Sequence, residues 1–205
     1  MNYWGEKDTS INFCEEKYEK SPWIAEYYNT LSSFSYILIS IPFLKTQKYM
    51  IAWSGIGIGI GSIMLHGTMR YYGQWVDEIS MIMFSYHLLK YIDLKFPPLW
   101  ILFVPIYFCH WRHFFIMSTI FFSMQVRCFN LLLKNPKNHI FLYFYSLFFL
   151  IGFVCWFLDQ FFCSSTQEYY LHAFWHIFTS ISMFINMKCI KSNNYQVPYL
   201  SNKNN

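Results

Sequence analysis

Seven apolar runs, at about 30–44, 49–69, 75–92, 97–111, 113–133, 139–158 and 169–190, fill most of this 205-residue chain. A helix that crosses a membrane needs about 20 mostly apolar residues, and all but the first and fourth runs approach or reach that length. Charged residues make up 13% of the sequence, about half the roughly 25% of ordinary soluble domains. Too little charge is present to solvate the outside of a water-soluble fold of this size. Breakers and charges separate the runs: Lys45 and Lys48, Gly73, Lys95 with Pro97 and Pro98, Arg112, Lys134 with Pro136 and Lys137, and the polar SSTQE from Ser164. The pattern predicts an all-α integral membrane protein, a seven-transmembrane-helix bundle. No charged n-region with a small-residue cleavage site precedes the first run, so a removable signal peptide is not expected.

Within the second run, glycine alternates with isoleucine from Gly55 to Gly61. Strict alternation would suit a strand, but in lipid a lone segment must satisfy its own backbone polar groups, which selects helix. The GxxxG spacings then point to close approach of a neighbouring helix. Orientation follows from the cations. Of fifteen Lys and Arg, the ten at Lys45, Lys48, Lys90, Lys95, Arg127, Lys134, Lys137, Lys188, Lys191 and Lys203 fall on one side, and Lys7, Lys17, Lys20, Arg70 and Arg112 on the other. The richer side is expected to be cytosolic, which puts the N-terminus in the lumen or outside the cell and the C-terminus in the cytosol. Residues 1–28 form a lumenal N-terminal segment on this reading, 29–190 the membrane domain, and 191–205 a disordered Asn/Lys-rich tail. The net charge of +4 serves topology and requires no nucleic acid partner.

Six scattered cysteines fit neither a disulfide scaffold nor a zinc ribbon. Cys109, Cys128, Cys155 and Cys189 lie in apolar runs and read as packing. Cys14 and Cys163 lie in polar segments on the lumenal side, where disulfides persist, so a bridge between them would tie the N-terminal segment to the last lumenal loop.

The ionisable groups share one depth. At 1.5 Å per residue, His66 lies roughly 25 Å along the second run, Asp77 and Glu78 are expected in the first turn of the third, and His172 and His176 open the seventh. Such groups are costly in a membrane unless they face the bundle interior and find partners. His172 and His176, four residues apart, share a helix face. On spacing alone, two interior histidines bonded to neighbours explain this pair as well as a metal does. With His66 added, three imidazoles and no nearby cysteine match a catalytic zinc site that keeps one position open. Zinc held this way lowers the pKa of its water to about 7, and Asp77 is placed to take that proton and return it to a leaving group. Ser62, one turn before His66, is a candidate donor to a substrate oxygen, or simply a small packing residue. His87 reads as a packed histidine, His110 and His113 as interfacial, and His139 as the start of the sixth helix on the cytosolic side. Asp159 reads either as a partner to an imidazole or as a solvated helix end.

The stretches YWGEKDTSINFCEEKY, WIAEYYNTLSS, GSIMLHGTMRYYGQWVDE and LHAFWHIFTS resemble, in that order, the alkaline ceramidases. These are seven-helix membrane amidases of the superfamily that includes the adiponectin receptors. The resemblance runs from about Tyr3 to Ile190. It implies zinc on His66, His172 and His176, with Ser62 and Asp77 at the reaction centre. It further implies hydrolysis of ceramide to sphingosine and a fatty acid in an endoplasmic reticulum or Golgi membrane. It also implies a calcium site at Asn12, the Phe13 carbonyl, Glu15, Lys17 and Glu26. The family has an aspartate where Asn12 stands and an asparagine where Lys17 stands; calcium prefers several anionic oxygens, so a weakened site or none is expected. Where the family carries a tyrosine near the substrate carbonyl, this chain offers Met117 and Ser118. A related hydrolase of ester or other N-acyl lipids, and a non-catalytic lipid-binding receptor with a zinc site, are the competing functions.

Overall fold

Helix formation follows the apolar runs. The computed structural model describes residues 3–92, 113–134 and 139–189. Among them the chain is all-α, with seven α-helices: α1 (Tyr27–Ser40), α2 (Tyr49–Thr68), α3 (Tyr71–Ile92), α4 (His113–Leu133), α5 (His139–Phe161), a four-residue α6 (Cys163–Thr166) and α7 (Leu171–Cys189). The span expected at 97–111, with Cys109 and His110, lies outside the described residues, as do the side chains of His113 and Met117 and the tail from Ser192.

Two helices, α2 and α5, are long and apolar enough to cross a membrane by composition alone. At 1.5 Å per residue the 23 residues of α5 reach about 34 Å, against a hydrocarbon core of about 30 Å. The other helices carry polar residues, and α1 shows where these go. Its Asn29, Thr30, Ser33 and Ser40 are buried, while Leu31, Phe34 and Leu38 are exposed. That polarity is inverted relative to a helix in water, whose apolar stripe faces the core. On α5, likewise, Ile140, Tyr143, Leu150 and Phe161 are all exposed.

Packing places α2 between α1 and α3; α1 continues to α7, α7 to α5, and α4 closes between α3 and α5. The glycines of α2 explain its central place. Gly55 and Gly59 face α1, where a Cβ on Gly59 would lie 2.5 Å from Ile37 Cγ1; Gly57 and Gly61 face α3, where a Cβ on Gly61 would lie 2.5 Å from Asp77 Cα. Two GxxxG patterns offset by two residues therefore serve two opposite faces, which accounts for the alternation.

The third helix begins earlier than expected. Gly73, read above as a breaker, lies inside α3 because a Cβ there would sit 2.6 Å from Leu65 N on α2. Asp8 caps the new start, accepting the Tyr71 N–H at 2.5 Å. Asp77 and Glu78 consequently sit beyond the first turn, not within it.

Residues 3–26 form no helix and fold over the ends of α2 and α1. Ala25 and Glu26 donate their N–H groups to Gly67 O and His66 O, both at 2.9 Å. Ile11, Phe13 and Ala25 pack on Leu65 and Met69. The carboxylate of Glu15 accepts the N–H groups of Tyr28 (2.7 Å) and Asn29 (2.9 Å), so α1 is capped from a distance. This satisfies donors that a helix start otherwise leaves orphaned, since Glu26 at the N-cap makes no side-chain cap bond.

Candidate metal centre

Three imidazoles meet at one end of the bundle. His66 lies in the last turn of α2, and His172 and His176 in the first two turns of α7. Their ring centroids form a near-equilateral triangle with sides of 4.9, 5.0 and 4.7 Å. One ligand atom from each lies within 4.8 Å of the others, and all three residues are buried. Phe13 lies over the group, 4.6 Å from the His66 ring and 4.2 Å from that of His172.

The hydrogen bonds decide which nitrogens face inward. His66 Nδ1 donates to Glu26 Oε2 at 2.6 Å, leaving Nε2 with its lone pair. Ser32 and Ser33 spend their hydroxyl protons on Asn29 O. Ser32 Oγ therefore accepts from His176 Nδ1, at 2.8 Å, and His176 Nε2 is freed in turn. His66 Nε2 and His172 Nδ1 are buried with no hydrogen-bond partner. Orphaned buried polar atoms are rare and call for an explanation. A divalent metal supplies one, and a carboxylate behind a histidine is the usual support of a metal ligand. Three nitrogens without a thiolate are the donor set of a metal site that would keep a fourth position open.

The cavity beside this triad encloses about 740 Å³, its open mouth included, and is lined by Ser62, Asp77, Glu78, His172 and His176. Ser62 Oγ lies 2.8 Å from Ser33 Oγ and 3.4 Å from His176 Nε2. Asp77 Oδ1 is buried without a hydrogen-bond partner. Ser118 of α4 also lines the cavity. A second, apolar cavity shares the walls Tyr36, Ile58, Met81, Phe121 and Trp175 and runs on toward Gln125, Tyr145 and Asn186.

The oxygens expected around calcium converge on a different cation. Lys17 Nζ donates to Phe13 O (2.5 Å) and Glu15 O (2.9 Å) and pairs with Glu26 Oε1 at 2.8 Å, off the line of a hydrogen bond. Lys7 Nζ holds Asn12 Oδ1 at 3.1 Å, and the Glu15 carboxylate is committed to α1. This set does not fit calcium. Burial raises the Glu15 carboxyl above its ordinary range despite the two N–H donors. Burial would do the same to Glu26, but His66 and Lys17 beside it hold it below that range.

Cys14 and Cys163 are paired, with Cα atoms 5.3 Å apart, inside the range a disulfide needs. Asp159 is buried and fills neither role considered for it. Its carboxylate accepts from the Cys14 N–H at 3.3 Å and Gln160 Nε2 at 3.2 Å, because the N-terminal segment is drawn across the end of α5. His87 Nδ1 bonds Ser54 Oγ at 2.7 Å between α3 and α2. Glu26 behind His66, Ser32 behind His176, and Tyr36 (ring 5.6 Å from His176, hydroxyl 2.6 Å from Thr179 Oγ1) were not singled out for these roles from sequence. The 4-3-4 spacing of Asn29, Ser33, Tyr36 and Ser40 was the available signal of an inward polar face.

The ceramidase family model matches residues 5–199 of the chain. An alkaline ceramidase of Arabidopsis thaliana is 26% identical over 89% of this chain and 83% of its own length. Alkaline ceramidase 3 of Mus musculus is 25% identical over 90% and 84%, and a putative alkaline ceramidase of Dictyostelium discoideum is 26% identical over 96% and 92%. A match of this extent, on a chain whose three buried histidines can hold a metal ion, identifies it as a member of the alkaline ceramidase family.

Proposed function

We propose that this chain is a zinc-dependent amidase that cleaves ceramide to sphingosine and a free fatty acid. The observation that carries the reading is the buried His66, His172 and His176 triad opening on a cavity that also holds Asp77. Zinc bound there supplies a Lewis acid for the amide carbonyl and an acidified water at neutral pH. Glu26 and Ser32 fix the two imidazoles that present Nε2. Asp77 takes a proton from the attacking water as its oxygen bonds to the carbonyl carbon, and returns that proton to the amide nitrogen as the C–N bond breaks. The Ser62 hydroxyl turns from Ser33 to the carbonyl oxygen. The apolar cavity beyond Trp175 and Tyr36 accommodates part of the acyl chain, which suits a substrate made mostly of hydrocarbon.

The same reading makes the exposed apolar faces of α1 and α5 lipid contacts. The N-terminus and the metal centre then lie on the lumenal side of an endoplasmic reticulum or Golgi membrane, with the tail in the cytosol. The Cys14–Cys163 pair is a lumenal disulfide in that arrangement. Metal analysis of detergent-purified protein, alongside hydrolysis of ceramide and of ester lipids with and without chelator, tests the proposal. Stoichiometric zinc with chelator-sensitive release of sphingosine is expected. Zinc without turnover of any N-acyl sphingoid base would overturn it in favour of a binding protein, and preferential ester cleavage would change the substrate class.

A further inference from the structure

The Lys17 ammonium meets three oxygens from the N-terminal segment and the start of α1: it donates to Phe13 O and Glu15 O and forms an ion pair with Glu26 Oε1. Each of the three leads elsewhere. The Phe13 ring covers His66 and His172. The carboxylate of Glu15 caps α1. Glu26 is fully buried and holds His66 Nδ1 through its other oxygen. One cation thus gathers the lid over the metal centre, the cap of the first helix and the carboxylate behind a ligand. Calcium would need six to eight oxygens at 2.3–2.6 Å. It would have to displace this ammonium, and Lys7 on Asn12 Oδ1 adds a second positive charge nearby.

We infer that Lys17 is a built-in substitute for a divalent cation, fastening the N-terminal segment to α1 and, through Glu26, to His66, so that this chain assembles its metal centre without calcium. Lys17 is a positioning residue in this scheme and touches no substrate. The inference rests on the proposed metal centre only where zinc retention is read; the calcium measurement stands apart from it.

Zinc-loaded full-length protein in detergent is titrated with calcium chloride while Tm and bound calcium are followed. No shift in Tm and no saturable binding are expected. Lys17→Met keeps the chain length and removes the charge; it is expected to lower Tm and to speed zinc loss to a competing chelator about tenfold, the lower end of the effect of removing an outer partner of a metal ligand. Lys17→Arg keeps the charge and is expected to stay nearer the parent than Lys17→Met in both readouts. A saturable rise of the parent's Tm with calcium would overturn the inference. So would a Lys17→Met protein indistinguishable from the parent, or a Lys17→Arg protein as damaged as Lys17→Met. None of these readouts uses turnover, so a failure here is separable from a failure of the ceramidase reading.

Discussion

Gly61→Ala isolates the link between packing and chemistry. The added methyl would lie 2.5 Å from Asp77 Cα and 2.8 Å from the Val76 carbonyl carbon. Both are backbone atoms, so no side chain can swing aside. Reaching ordinary contact at 3.4–4 Å requires α2 and α3 to separate by about 1 Å. It is α3 that gives way, because α2 is also held against α1 through Gly55 and Gly59, where a Cβ on Gly55 would lie 3.3 Å from Ser40 Cβ. Overpacking of this kind costs about 1–3 kcal/mol. The chemical effect is of similar size in free energy, since a misplacement of about 1 Å in a catalytic group can cost about 10²-fold in rate, about 2.7 kcal/mol. Asp77 moves while the three histidines, on α2 and α7, keep their places. The expected protein therefore retains zinc by elemental analysis, melts somewhat lower, and loses about 100-fold in kcat/KM for a fluorescent ceramide. Gly67→Ala is the control: its nearest neighbour is Thr30 Oγ1 at 3.9 Å, and it is expected to behave as the parent. Parental turnover in Gly61→Ala would refute the dependence on Asp77 position. Loss of zinc together with turnover would show that α2, not α3, had moved.

Three further substitutions separate the roles in the centre. His176→Ala is expected to abolish bound zinc and hydrolysis together, whereas Asp77→Asn keeps the metal and loses turnover, both read by elemental analysis and product release. Glu26→Gln removes the anion behind His66 and is expected to weaken zinc retention about 10–100-fold, measured by chelator competition. Cys14→Ser opens a loop of 149 residues and is expected to cost on the order of 2–5 kcal/mol, seen as a lower Tm that matches the reduced parent; free thiols at both positions in the non-reduced parent would contradict it.

The apolar runs made most helices legible. The expected 49–69, 113–133 and 169–190 correspond to Tyr49–Thr68, His113–Leu133 and Leu171–Cys189, because an unbroken apolar run has few other ways to satisfy its backbone. The start of α3 was not legible in the same way. Gly73 has the same composition whether it breaks a helix or lets two helices touch, and only the position of Leu65 distinguishes the two. The histidines were legible because each sits near the end of an apolar run, and the alternating direction expected of successive spans brings the three to one end of the bundle without any contact information. Glu26 and Lys17 were readable only as members of a calcium pattern. Their actual partners depend on the path of residues 3–26, which is set by long-range bonds such as Ala25 to Gly67 and Glu26 to His66 and leaves no periodicity in the sequence.

That irregular segment explains why the polar centre tolerates its surroundings. A bundle with an apolar exterior gains little from driving helices together inside lipid, since lipid tails are as apolar as leucine; specific contacts must set its geometry. Here they come in two layers. Backbone-to-backbone approach at Gly61 and Gly73 fixes α3, and with it Asp77, against the helix that carries His66. The N-terminal segment then fixes what the helices leave open: Glu15 defines where α1 begins, which sets Ser32 opposite His176, and Glu26 sets the tautomer of His66. Each histidine that would present Nε2 to a metal is thus oriented by a residue of, or just before, α1, a helix that supplies none of the three histidines. Loosening the N-terminal segment should accordingly disturb the metal centre before it disturbs the bundle, so limited proteolysis within residues 3–26 should release zinc while leaving the helical circular dichroism intact.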